Sequence, residues 1–150
     1  MSARDRSLSE QLAAFVAGLP DDAIPEPVAE RAKRHILDTL GAALAGSAAL
    51  EARRARAIMQ PVLTGGSSAA GAWGTALAFG PRDAAFVNGV AAHALELDDA
   101  GGCDHSGAVV LPASFAALAC SERRVSGRAF IAAVVLGYDV GRRVLEACGG

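Results

Sequence analysis

The side chains best suited to moving protons lie between His93 and Pro112. His93-Ala-Leu-Glu96-Leu-Asp98-Asp99 is followed closely by Cys103, Asp104 and His105. Crowded carboxylates repel one another, so one of them would keep a proton and serve as a general acid. If the helix before them runs to Leu97, Glu96, Asp98 and Asp99 sit at its negative end, which disfavours anions by roughly 0.3 to 1 kcal/mol. His105 falls at the start of the next helix, where the positive end of the dipole favours a neutral imidazole and attracts anions. A substrate carboxylate would dock on the N–H groups near Ser106, Gly107 and Ala108 while His105 removes or returns a proton beside it. Gly107, without a side chain, permits that approach.

Other readings of the same residues remain open. A plain polar turn between two helices would leave Asp98 and Asp99 solvated, His105 capping and His93 hydrogen-bonded at a core edge. Asp99, Cys103, Asp104 and His105 could all supply metal ligands. Their spacings match no zinc or iron pattern, however, and one loop makes a poor cage, so no metal is expected. Cys103 as a nucleophile would need a base within reach, and His105, two residues away, is poorly placed.

The elements that must position this stretch read as helices. Ser7 and Glu10 have capping-box spacing ahead of a helix over 8–17. Pro25 and Pro27 lead into a second helix, on which Val28, Ala32, Ile36, Leu40 and Leu44 mark one face up to Gly46. His35, beside that stripe among Arg31, Lys33 and Arg34, reads as a solvated residue without a role. A third helix is expected over 51–62, with Arg53, Arg54 and Arg56 on a wet face. Glycine and serine near 64–81 predict turns and a short extended piece. Gly65-Gly66 resembles no phosphate loop. Helical periodicity returns over 82–97, with Phe86, Val90, Ala94 and Leu97 on one face. It continues from His105 to about Glu122, with Pro112 as a kink or the true first turn. Ser126 caps a last helix carrying Phe130, Val134, Tyr138, Gly141 and Leu145. The fold class is all-α, with an irregular glycine-rich segment.

Composition narrows the partners. In 150 residues, 52% hydrophobic and 20% charged, there is enough apolar material for one core. A net charge of −2 argues against a nucleic-acid partner. The apolar runs fall short of the ~20 residues that span a bilayer, so no membrane partner is expected. The charged start lacks a secretory core, and three unpaired cysteines fit reduced thiols, which points to the cytoplasm. Cys120 and Cys148 read as small core residues.

Phe86-Val-Asn-Gly-Val-Ala-Ala-His-Ala-Leu-Glu-Leu-Asp-Asp99 and His105-Ser-Gly-Ala-Val-Val-Leu-Pro-Ala113 together resemble the signature of the MmgE/PrpD family. Asp38-Thr-Leu-Gly-Ala-Ala-Leu-Ala-Gly46, Ala72-Trp-Gly-Thr75 and Gly137-Tyr-Asp-Val140 fall in family order. The resemblance implies a large all-helical domain with a smaller α/β lid, commonly a homodimer. Residues 1–150 would form the N-terminal part of the helical domain, the rest of it and the lid being absent. It also implies a cofactor-independent lyase, a dehydratase or decarboxylase, that abstracts a proton next to a carboxylate of a small polycarboxylate. An epimerase of the same family or a non-catalytic helical oligomerisation module are the alternatives.

Carried over, the family's acidic positions fall on Glu96, Asp98 and Asp99 and its active-site histidine on His105. His105, Glu96 and Asp99 become the catalytic candidates, and His93, Asp98, Ser106 and Gly107 the substrate-binding ones. Three positions depart from the pattern. Aspartate is common where Glu96 stands, threonine where Ala100 stands, and proline where Ser106 stands. The missing threonine hydroxyl removes a hydrogen bond worth about 0.5 to 1.5 kcal/mol. Lys33 is the only lysine, and Arg142 and Arg143 have the spacing of helix-face ion pairs with Asp139 and Glu146.

Overall fold

Ser7 starts helix α1 (Leu8–Gly18) with a reciprocal capping box. Its hydroxyl accepts the Glu10 N–H at 3.3 Å, and the Glu10 carboxylate accepts the Ser7 N–H at 2.8 Å. These hydrogen bonds hold the Glu10 carboxyl below its ordinary range. The computed structural model describes residues 6–62, 69–100 and 105–149. α1 buries none of its residues, and the Arg143 guanidinium lies 5.8 Å above the Phe15 ring.

A short 3-10 turn (Asp21–Ala23) leads through Pro25 into α2 (Glu26–Gly46), with Pro27 in its first turn. Its buried face shares only Ala32 with the one that apolar periodicity marks. Ala32, Thr39, Ala42, Ala43 and Gly46 are buried, whereas Val28, Leu37 and Leu44 are exposed. Small residues turn inward because α2 meets α4 backbone to backbone. A Cβ on Gly46 would stand 2.1 Å from the Ala91 carbonyl oxygen, a distance no side chain tolerates.

α3 (Leu50–Ile58) stops short of the expected Val62, which instead bridges to Ala78. The extended piece is an antiparallel hairpin, β1 (Ala70–Gly71) and β2 (Ala78–Phe79), with Ala70 opposite Phe79. Gly65 and Gly66 lie outside the described residues. Asn88, buried on α4, ties the hairpin down by accepting the Trp73 N–H at 2.9 Å and donating to the Gly71 carbonyl at 3.0 Å. Phe79 packs under it with Ala72, Ala84 and Val87.

α4 (Pro81–His93) ends four residues before the expected Leu97. The Glu96 N–H turns back to the His93 carbonyl at 3.0 Å, and Glu96 itself is left-handed at φ 49°. Here too the inward face is small: Ala84, Val87, Asn88, Ala91 and Ala92 are buried, while Phe86 and Leu97 are exposed. α5 (Ser106–Cys120) runs through Pro112, which therefore lies inside the helix and not at its first turn. In α6 (Gly127–Ala147) the Ser126 hydroxyl accepts the Ala129 N–H at 3.1 Å, and Arg142–Glu146 and Arg143–Asp139 form the expected pairs.

α4 packs against α2, α3 and α5, and α6 covers α5 and α2. Edge-on rings of Trp73, Phe115 and Phe130 link hairpin, α5 and α6. The all-α expectation holds, as does the irregular glycine-rich segment. Cys120 and Cys148 are exposed instead of filling the core. Among the described residues, no helix is long and apolar enough to cross a membrane.

Candidate functional site

The polar stretch after α4 divides between two sets of partners. Asp98 has no exposed side-chain surface; its two carboxylate oxygens meet His93 Nδ1 at 3.1 Å and His105 Nδ1 at 3.2 Å. An ionised carboxylate accepts only, so each Nδ1 is the donor to Asp98, and a neutral ring held in this way carries its lone pair on Nε2. His93 is the last residue of α4, and His105 is the N-cap of α5, so the two helix ends bring the rings to 4.3 Å in an edge-on contact. Both rings reach solvent. The His105 backbone is left-handed, φ 54°, and its imidazole makes no capping bond, which frees it for Asp98. Glu96 and His105 are the two non-glycine residues with positive φ among those described, and they bracket the acidic segment.

Asp99 belongs to the other set. Its carboxylate accepts the Gly107 N–H at 2.9 Å, and its second oxygen lies 3.8 Å from His35 Nδ1. The N-terminus of α5 thus holds one of the chain's own carboxylates, at a position that sequence reasoning offered to a substrate. A Cβ on Gly107 would fall 2.2 Å from the Thr39 hydroxyl, 2.6 Å from Asp99 Oδ1 and 3.1 Å from the Tyr138 hydroxyl. The glycine is required because α2, α6 and Asp99 converge on it.

The three acids are therefore not one repelling cluster, and none is on α4. Glu96 is exposed, and its side chain has no hydrogen-bond or ion-pair partner among the described residues. Ser106 is buried at the first turn of α5. Cys103 and Asp104 lie outside the described residues, and with them the metal set that included them. The ligand atoms that do converge are those of His93, Asp98 and His105, all within 4.8 Å of one another.

Three residues join the site that sequence reasoning left out: His35, Thr39 and Tyr138. His35 stacks obliquely on Tyr138 with 5.7 Å between ring centroids. With Arg31, Arg34, Asp38 and Asp99 it lines a hollow of about 330 Å³. The charge run around His35 was the available signal, and it is indistinguishable in sequence from a solvated helix face. On the opposite side, an apolar groove of about 430 Å³ between α4 and α5 ends at His93 and His105, with Phe86, Val90, Val109 and Pro112 among its walls.

Imidazoles held at Nδ1 by a buried carboxylate, at the rim of an apolar groove, suit an acid–base site on a helical domain. Residues 10–150 match the family described as the MmgE/PrpD N-terminal domain, and the chain belongs to that family. It is 34% identical over 157 residues to a cis-aconitate decarboxylase-like protein of Aspergillus oryzae, covering 99% of this chain and 32% of that protein. It is 32% identical over 145 residues to the cis-aconitate decarboxylase of Homo sapiens, covering 94% of this chain and 30% of that enzyme. A cis-aconitate decarboxylase of Aspergillus terreus is 34% identical over 149 residues, with 95% and 30% covered. The chain spans about a third of the length of these relatives.

Proposed function

We propose that the full-length protein is a cofactor-independent lyase, a dehydratase or decarboxylase, that transfers a proton next to a carboxylate of a small polycarboxylate. The observation that carries the proposal is the bridging of His93 and His105 by buried Asp98. Asp98 fixes the Nδ1–H tautomer of His105 and aims its Nε2 outward as the acid/base. This is the arrangement in which a carboxylate orients a catalytic imidazole without itself taking the proton. His93, held the same way, contacts the substrate beside it. Asp98 acts as a positioning residue, since its side chain has no surface to offer a substrate.

Asp99 and Glu96 are proposed to position the reacting groups or share the proton, Asp99 by fixing the N-terminal end of α5. Ser106 and Gly107 form the adjoining floor. Residues 1–150 would be the N-terminal part of the large helical domain, completed by further helices, an α/β lid and a second subunit. Epimerisation through two bases needs groups on opposite faces of a carbon. Imidazoles 4.3 Å apart on one side favour one-sided proton transfer instead.

The test is turnover of a panel of small polycarboxylates by the full-length gene product in deuterated water, following loss of water or carbon dioxide and deuterium incorporation. A His105→Ala variant should lose about 10² to 10⁴ in rate. Unchanged turnover in that variant would remove His105 from its role.

A further inference from the structure

We infer that His93, Asp98 and His105 form a binding site for a borderline divalent transition metal such as zinc or cobalt, which competes with the proton for the imidazoles. The inference stands on the geometry alone and does not depend on which carboxylate the protein acts on. Two imidazoles and one carboxylate are a donor set that suits zinc, cobalt or iron and disfavours magnesium and calcium, which prefer all-oxygen shells.

The three residues also lie close enough together to share one ion. Metal–nitrogen and metal–oxygen bonds of about 2.0 to 2.2 Å at tetrahedral angles place neighbouring ligand atoms about 3.3 Å apart. One Asp98 oxygen lies 3.1 Å from His93 Nδ1 and the other 3.2 Å from His105 Nδ1, and with one ligand atom taken from each residue the three fall within 4.8 Å of one another, so an ion would draw the two exposed rings slightly inward around the carboxylate. Asp98 is buried, while the rings of His93 and His105 are 45% and 36% exposed. The site is therefore anchored from below and open to an ion from above. Three protein ligands leave one tetrahedral position for water or a ligand carboxylate.

Coordination through Nδ1 has a defined proton balance. Each ring gives up its Nδ1 proton and takes one at Nε2, so the ligand remains a neutral imidazole. The Nε2 lone pair that would accept a substrate proton is then blocked. Metal occupancy and proton transfer by His105 are mutually exclusive, and the metal acts as a reversible inhibitor.

Binding is tested on the full-length protein, stripped with a chelator, by titrating cobalt and following its visible ligand-field absorption, with zinc displacing it. The expected result is one cobalt per chain with the intense bands of a four-coordinate ion. His93→Ala, His105→Ala and Asp98→Asn should each weaken binding at least tenfold while circular dichroism shows the helices intact. His93→Ala removes an exposed ring and keeps the test decisive should Asp98→Asn fail to fold. No stoichiometric binding, or binding that survives His93→Ala and His105→Ala unchanged, overturns the inference. Because the readout is absorption and not turnover, its failure leaves the lyase proposal untouched, and an inactive protein can still bind the metal.

Discussion

Asp98 and Asp99 are consecutive, chemically identical and both screened from solvent, yet they serve different parts of the molecule. Asp98 turns toward two rings that reach solvent and gives each a fixed tautomer. Asp99 turns toward the frame, where it caps α5 through the Gly107 N–H and approaches His35 on α2. The two side chains leave the chain toward different partners, so a pair of aspartates addresses two neighbours at once. One acid prepares a reactive surface; the other secures the helix that carries it.

The sharpest way to break the frame side is Gly107→Ala. The new methyl would collide with Thr39, Asp99 and Tyr138, and an expected destabilisation of about 3 kcal/mol is measurable by urea unfolding. On the reactive side, Asp98→Asn should lower kcat roughly 100-fold by releasing the imidazole tautomers, with less effect on KM. An equal fall caused wholly by KM would move Asp98 from positioning to binding. Asp99→Asn should cost about 1.5 kcal/mol of stability, the value of a charge-assisted hydrogen bond at a helix N-terminus. Glu96→Gly should raise stability by about 1 kcal/mol, because glycine adopts the left-handed backbone without a Cβ penalty. Loss of stability there would mean that the Glu96 side chain holds the turn.

The smallest expected effect is far from both aspartates. Glu10 titrates low because the Ser7 backbone and hydroxyl donate to its ionised form. A depressed carboxylate contributes stability above its unfolded-state midpoint and loses it as pH falls through the folded one. α1 should therefore fray on acidification. Ser7→Ala, which keeps the backbone donor and removes the hydroxyl, should move the Glu10 midpoint part of the way upward in an NMR titration, and an unmoved midpoint would remove the hydroxyl as a cause.

Local signals in the sequence were sufficient where the physics is local. Ser7 with Glu10, and Ser126, mark helix starts that the structure confirms, because a cap is a contact between near neighbours. His93, Asp98 and His105 were visible for the same reason, lying in one short stretch. The buried faces of α2 and α4 were misread because periodicity follows large apolar residues. In these helices alanine and glycine face inward, and Leu44 and Phe86 from the marked faces remain 56% and 48% exposed. The end of α4 was misplaced because Leu95 and Leu97 prolong the apolar pattern, and nothing about a glutamate announces a left-handed turn. His35, Thr39 and Tyr138 meet the site only through the packing of α2 and α6 onto α5. So do Arg31 and Arg34, which bring positive charge to the Asp99 side.

The backbone contact at Gly46 has a wider consequence. Where α2 touches α4 through main-chain atoms, and α5 is wedged in by Gly107, the frame has no slack in which a larger side chain could be absorbed. Substitution there tends toward loss of folding and seldom toward a reshaped site. Phe86 and Val109, both exposed, and half-buried Val90 stand at the groove beside the histidines, so new selectivity is most readily acquired along that rim. The two layers therefore answer substitution differently: the frame resists a larger side chain, and the rim admits one at a time.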